Sequence, residues 1–147
     1  MDVLIRQAEL RDIPDLLDMN EIFNGKGLST AVAMKRDLES NAGEMVFVAE
    51  CGGMAVGFIC GQVFSSICYA DAKLCTVMEL FVREEYRRYG IASKLMLRLE
   101  QEFEEHSALE ILLQTGGEND GAQRFYENIG YIDTKRIVYR KVKQGGQ

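Results

Sequence analysis

Three features of this sequence carry the residue types that chemistry needs. The first is the segment Val82 to Lys94, Val-Arg-Glu-Glu-Tyr-Arg-Arg-Tyr-Gly-Ile-Ala-Ser-Lys. An apolar strand, Leu80-Phe81-Val82, runs into a basic loop, and an amphipathic helix begins at Gly90. The first amides of a helix lack intrahelical partners and lie at the positive end of its dipole, so such a turn suits a phosphate or diphosphate. Arg87 and Arg88 add charge, and the small Gly90 and Ala92 leave the backbone open to close approach. The same residues also suit a plain helix entry with solvated arginines. The second feature is Glu79, an acid inside the apolar run Val77-Met78-Glu79-Leu80-Phe81. Burial raises a carboxyl pKa toward the range useful to a base; a solvent-facing Glu79 would carry no such role. The third is Tyr126, whose phenol can donate a proton. At helical spacing, Phe125 and Tyr126 also read as simple core aromatics.

The cysteines offer less. Cys51, Cys60, Cys68 and Cys75 have no Cys-x-x-Cys spacing, and the single His106 completes no familiar zinc motif with them. Most lie in or beside apolar strand-like runs and read as small reduced core residues. His106 ends an acidic helix, an exposed setting for half of a catalytic Cys–His pair.

The basic glycine turn resembles the acyl-CoA-binding signature of the GNAT acetyltransferase superfamily, Arg/Gln-x-x-Gly-x-Gly/Ala, through Arg87-Arg88-Tyr89-Gly90-Ile91-Ala92. About 30 residues further on, Asn119-x-x-Ala122-x-x-Phe125-Tyr126-Glu127-x-x-Gly130-Tyr131 is similar to that family's Asn-x-x-Ala-x-x-Phe-Tyr-x-x-x-Gly-Phe segment. The element order matches over residues 3 to about 142, in the first half by layout only. The resemblance implies acetyl-CoA as donor, CoA as product and no metal. It places the pyrophosphate on Arg87, Arg88, Tyr89, Gly90, Ile91, Ala92 and Ser93, and the pantetheine arm along the strand backbone at Phe81 and Val82, like an added strand. A backbone amide there would polarise the thioester carbonyl. A bulge in this strand is usual in the family, and nothing in the sequence reveals one. Asn119 and Tyr126 become CoA contacts; for Asn119 the local alternative is a helix N-cap. Glu79 becomes the base that takes the acceptor's proton, directly or through water, or else only an anchor for its ammonium group. Tyr126 becomes the acid for the departing thiolate.

These residues need elements to hold them. Val3–Ala8 alternates as a strand, and Asp12 with Pro14 opens a helix. A second helix covers Thr30–Glu39. Met45–Glu50 and Val56–Phe64 form a hairpin about Gly52-Gly53, and Leu74–Arg83 is a third strand of that group. Ile91, Leu95, Leu99 and Phe103 mark a helix over Gly90–His106, followed by a strand at Glu110–Gln114 and a helix at Asp120–Ile129. Tyr131 and Ile137–Val142 read as terminal strands, and Lys143–Gln147 as a frayed tail. Strand, helix and strand over residues 74–114 make a right-handed βαβ unit with parallel strands. The expected fold is therefore α/β, an α+β mixed sheet: a single GNAT-like domain over 1–147. The resemblance gives it six or seven strands, about four helices, and splayed parallel strands at 74–83 and 110–115 forming the CoA cleft.

Composition narrows the acceptor. The 147 residues, 47% hydrophobic and 27% charged, suit one globular domain. No apolar run approaches membrane-spanning length and no signal-peptide core begins the chain, which predicts a cytoplasmic protein with no membrane partner. The net charge of −6 argues against nucleic acid. Residues 1–79 hold 12 acids against 6 bases and the remainder 11 of each, so a small cationic amine, polyamine- or aminoglycoside-like, is favoured. Glu21, Tyr69 and Asp71 are the acidic-half residues placed to face it. The alternatives are a peptide lysine or N-terminal amine, a non-catalytic CoA-binding regulator, or an interaction module that merely keeps the fold. Homodimers are common among similar proteins, and the C-terminal strands offer one route to such a dimer, which the sequence does not decide.

Overall fold

The computed structural model describes residues 1–40 and 43–143. The chain forms two compact units, Met1–Gln114 and Thr115–Gln147. Of the tail expected to fray, residues 144–147 lie outside the described residues.

The first unit holds β1 (Leu4–Gln7), α1 (Ile13–Asn24), α2 (Ala31–Ser40), β2 (Glu44–Cys51), β3 (Met54–Phe64), β4 (Lys73–Val82), α3 (Ile91–Glu105) and β5 (Ala108–Leu112). Their sheet order is β1-β2-β3-β4-β5, antiparallel through β4 and parallel between β4 and β5. The β2–β3 turn uses Gly52 and Gly53 at φ of +60° and +81°, the left-handed conformations that a tight hairpin requires. One face of the sheet carries α3, whose Ile91, Leu95, Met96, Leu99 and Phe103 are buried. The other carries α1 and α2, with Leu16 and Met19 packed among Val48, Phe58, Cys60 and Phe81.

Asp12 stands before α1, as the sequence suggests, but its carboxylate does not cap that helix. It accepts two bonds from Arg6 and one from the Glu9 amide, each 2.8 Å, and Arg6 also binds Glu50 at 2.7 Å. Asp15 accepts from the Ala55 amide at 3.0 Å, and Asp18 pairs with Arg83 at 2.7 Å. Much of the acidity of the first half thus fastens α1 to the end of the sheet. α2 is capped by Thr30, whose Oγ1 accepts from Ala33 N at 3.1 Å.

The sheet has five strands among the described residues, fewer than the six or seven expected. Tyr131 and Ile137–Val142 take up no regular structure. Ile137, Val138, Tyr139 and Val142 are all exposed. Alternation of β-branched and aromatic residues states a preference, but a strand exists only through its ladder and its packed face. The second unit has one helix, α4 (Asp120–Asn128), capped by Asn119.

Glycine matters most at Gly61, where α3 presses directly on β3. A Cβ there would lie 2.6 Å from Phe103 Cζ, 2.9 Å from Leu99 Cδ2 and 3.0 Å from the Thr76 carbonyl oxygen. Gly61→Ala should therefore destabilise the fold by about 1–3 kcal/mol. A denaturation midpoint equal to the parent's would show that α3 can move aside.

Candidate active site

The residues of β4 that bear chemistry owe their direction to one irregularity. Cys60 pairs with Glu79 and Gly61 with Val77, so Met78 is an extra residue without a partner on β3. This is the β-bulge that the sequence did not reveal. Residues directly opposite in a pair share a face. Val77 therefore shares the α3 face with Gly61, while Glu79 shares the α1–α2 face with Cys60. Without the extra residue, Val77 and Glu79 would point the same way.

The parallel ladder ends just ahead of the bulge. β4 and β5 are paired only from Lys73 to Thr76, and Thr76 Oγ1 closes the contact on the Leu112 carbonyl at 3.0 Å. Among the described residues no strand pairs with the β5-facing edge of Met78–Val82. The ladder stops because β5 ends at Leu112, which leaves this edge of β4 without a strand neighbour. Phe81 and Val82 place their side chains in the core, so what they offer to a ligand is their backbone.

The loop after β4 leads to the start of α3. Gly90 precedes the helix at φ +77°, and the first helical bond runs from Lys94 N to the Gly90 carbonyl at 3.1 Å. The amides of Ile91, Ala92 and Ser93 therefore come before the helical ladder and point out of its end. No heavy atom lies within 4 Å of a Cβ built on Gly90, leaving room above the turn. Ile91 buries its side chain and contributes only its amide. Arg88 and Tyr89 are exposed, and Arg88 has φ +70°. Arg87 does something the motif did not foretell. Its Nε donates to the Val82 carbonyl at 2.8 Å and its guanidinium lies 5.5 Å from the Phe81 ring centroid, so it braces the loop against the strand end. A turn with free amides, open space and the exposed Arg88 suits an anion.

A cavity of about 170 Å³ lies on the other face of the sheet in the same unit. Its apolar wall includes Leu16, Met34, Leu38, Val46 and Phe58, and its polar groups include Glu79, Glu44 and Asp37. Burial raises the Glu79 carboxyl above the ordinary range, partly offset by a hydrogen bond from Asn24. Burial raises Glu44 too, with a contribution from the charge of Asp37. Cys60 shares this cavity, and burial pushes its thiol far above the usual value, which removes it as a nucleophile. Cys75 is buried, Cys51 half-buried and Cys68 exposed, all four being free thiols. His106 is an exposed helix cap, with Nδ1 2.9 Å from the Glu102 carbonyl. Among the described residues no group of three metal-ligating side chains forms, and no helix is long and apolar enough to cross a membrane.

Glu79, Phe81, Val82 and Arg87–Ser93 thus fall in the first unit. Asn119 and Tyr126 fall in the second. There Asn119 Oδ1 accepts from Ala122 N at 3.0 Å, the capping alternative. Tyr126 lies seven positions on, two turns along α4. It is half-buried, with ring centroids of Phe125 and Tyr131 at 5.2 and 6.0 Å, and burial raises its phenol pKa. Glu21, Tyr69 and Asp71 do not line the cavity; Glu44 and Asp37 do. The signal for Asp37 was its position in α2, inside the thin apolar stripe of Met34 and Leu38. Glu44 had none, since it lies just ahead of the strand as read from the sequence.

An open helix start, an unpaired strand edge and a carboxylate-bearing cavity are the parts that an acyl-CoA-dependent transferase needs. The chain belongs to the acetyltransferase (GNAT) family, whose model matches residues 14–131, and is an acetyl-CoA-dependent N-acetyltransferase. It is 34% identical over 131 residues to an uncharacterised N-acetyltransferase of Archaeoglobus fulgidus, covering 83% of this chain and 88% of that one. Its fold is shared with AAC(6')-Iy in complex with a CoA-containing bisubstrate analogue, at a TM-score of 0.83 and 18% identity, covering 97% and 99% of the two chains. It is also shared with an aminoglycoside acetyltransferase from an uncultured soil metagenomic sample, in complex with sisomicin. There the TM-score is 0.81 and the identity 21%, with 96% and 95% covered.

Proposed function

We propose that this protein transfers an acetyl group from acetyl-CoA to the primary amine of a small cationic acceptor, acting as a single transferase domain over residues 3–142. The observation that carries the acceptor class is the cavity beside Glu79, apolar in its walls and acidic in its polar groups. The solved aminoglycoside acetyltransferase agrees with such an acceptor. Acetyl-CoA supplies the activated acetyl group. The amides of Ile91, Ala92 and Ser93, with Arg88, hold its diphosphate, and the free edge of β4 at Phe81 and Val82 aligns its arm. Arg87 keeps that edge and the loop in register.

Glu79 takes the proton that the acceptor's ammonium must lose before it can attack. A carboxylate whose pKa is raised by burial is a stronger base than an exposed one. Tyr126, kept protonated by its own raised pKa, gives a proton to the departing sulfur. Holding both reactants together supplies much of the remaining rate.

The pH profile tests Glu79. The group works only when ionised, so kcat/KM should fall as pH drops through its raised pKa. Glu79→Gln should flatten that acid limb and lower kcat about 100-fold at neutral pH. An unaltered limb would place the base elsewhere. The acceptor class is tested by thiol release from acetyl-CoA against polyamines, aminoglycosides and lysine peptides. Turnover confined to peptides would overturn the small-molecule reading.

A further inference from the structure

The cavity has hydrocarbon walls and carboxylates on opposite strands. Glu79 pairs with Cys60, and Glu44 pairs with Gln62. The two acids therefore stand on the strands flanking β3, two positions apart along it and on one face. At ordinary strand spacing their Cα atoms lie about 12 Å apart, a span that an extended diamine can bridge between the two side chains. Between them run Leu16, Met34, Val46 and Phe58.

Glu44 is half-buried, and the hydrogen bond it receives comes from a neutral group, Gln62 Nε2, at 3.3 Å. Asp37 adds a second negative charge at the exposed rim, where its own neighbour is Arg36 at 3.3 Å. Among the described residues, no Lys, Arg or His lines the cavity. A carboxylate removed from water calls for a cation, and the family's reaction brings one, because its acceptor is an amine.

We infer that the acceptor is a linear aliphatic diamine or polyamine, with its reacting amine at Glu79 and a second ammonium held by Glu44 and Asp37. This rests on the reading that Glu79 receives the reacting amine. The methylenes lie against the hydrocarbon wall. In the reaction the acceptor nitrogen bonds to the acetyl carbon and the carbon–sulfur bond breaks. Of the two protons the nitrogen loses, one goes to Glu79 and the other makes good the proton that Tyr126 gives to the departing sulfur.

The test compares kcat/KM for 1,4-diaminobutane and 1,6-diaminohexane with that for butylamine and hexylamine, alongside an aminoglycoside and a peptide with a free N-terminus. The parent should favour each diamine over its matched monoamine at least tenfold. Glu44→Gln should lower that diamine-to-monoamine ratio about tenfold, and Asp37→Asn by less. The ratio comes from one preparation, so partial misfolding cancels. Equal use of diamine and monoamine, an unchanged ratio in Glu44→Gln, or preference for the aminoglycoside or peptide would overturn the inference while leaving acetyl transfer standing. Thiol release with none of these amines would remove the small-amine reading and this inference with it.

Discussion

Gly90→Glu should weaken acetyl-CoA binding at least 100-fold, measured by calorimetry. Two effects act together. Gly90 sits at φ +77°, a conformation that costs an L-residue about 1–2 kcal/mol. The larger effect is electrostatic, since a carboxylate would occupy the mouth of a helix start that otherwise receives the donor's diphosphate. Gly90→Ala separates the two. A Cβ at this position meets no heavy atom within 4 Å, so the alanine variant should lose about 1 kcal/mol of stability and much less affinity. A glutamate variant that binds within threefold of the parent would remove the diphosphate from this turn.

Tyr126→Phe should lower kcat about 100-fold while changing acetyl-CoA affinity only a few-fold. The split follows from the role assigned to the hydroxyl. A proton donated as the thiolate departs acts on the transition state, and such transfers are worth at least about two orders of magnitude. The ring itself packs edge-on against Phe125 and Tyr131, and phenylalanine preserves that packing. A variant as fast as the parent would leave Tyr126 as an aromatic of α4 and nothing more. Equal losses in kcat and affinity would make its hydroxyl a binding contact instead of an acid.

The legible parts of this protein were those governed by local rules. The spacing of Ile91, Leu95, Leu99 and Phe103 predicted α3 because a helix must bury one stripe. Gly52-Gly53 predicted the β2–β3 turn because few other residues take its backbone angles. Gly90 predicted the entry into α3 for the same kind of reason, and it takes a left-handed φ there. What stayed hidden depended on register across the sheet. Nothing about Met78 as a residue marks it as the extra one; the bulge appears only when β4 is laid beside β3. Glu44 became a cavity residue only through its alignment with Gln62. The Arg87 brace on Val82 required the loop to fold back on its own strand. The C-terminal segment misled in the opposite sense. Its alternation announced strands, but pairing is a property of two segments, and α4 is followed by backbone without a ladder.

The bulge at Met78 divides β4 into two segments that answer to different demands. Up to Val77 the inward residues are fitted to α3, and a change there must be matched by a change in the helix. Beyond the bulge Glu79 turns to the α1–α2 face and lines the cavity, and Phe81 packs on the same side against Phe23 and Phe58. Side chains on opposite faces of a strand share few neighbours, and substitutions without shared partners combine nearly additively. A change at Glu79 can therefore reshape the cavity without disturbing the fit of Val77 to α3, one strand serving as a foundation on one side and a cavity wall on the other.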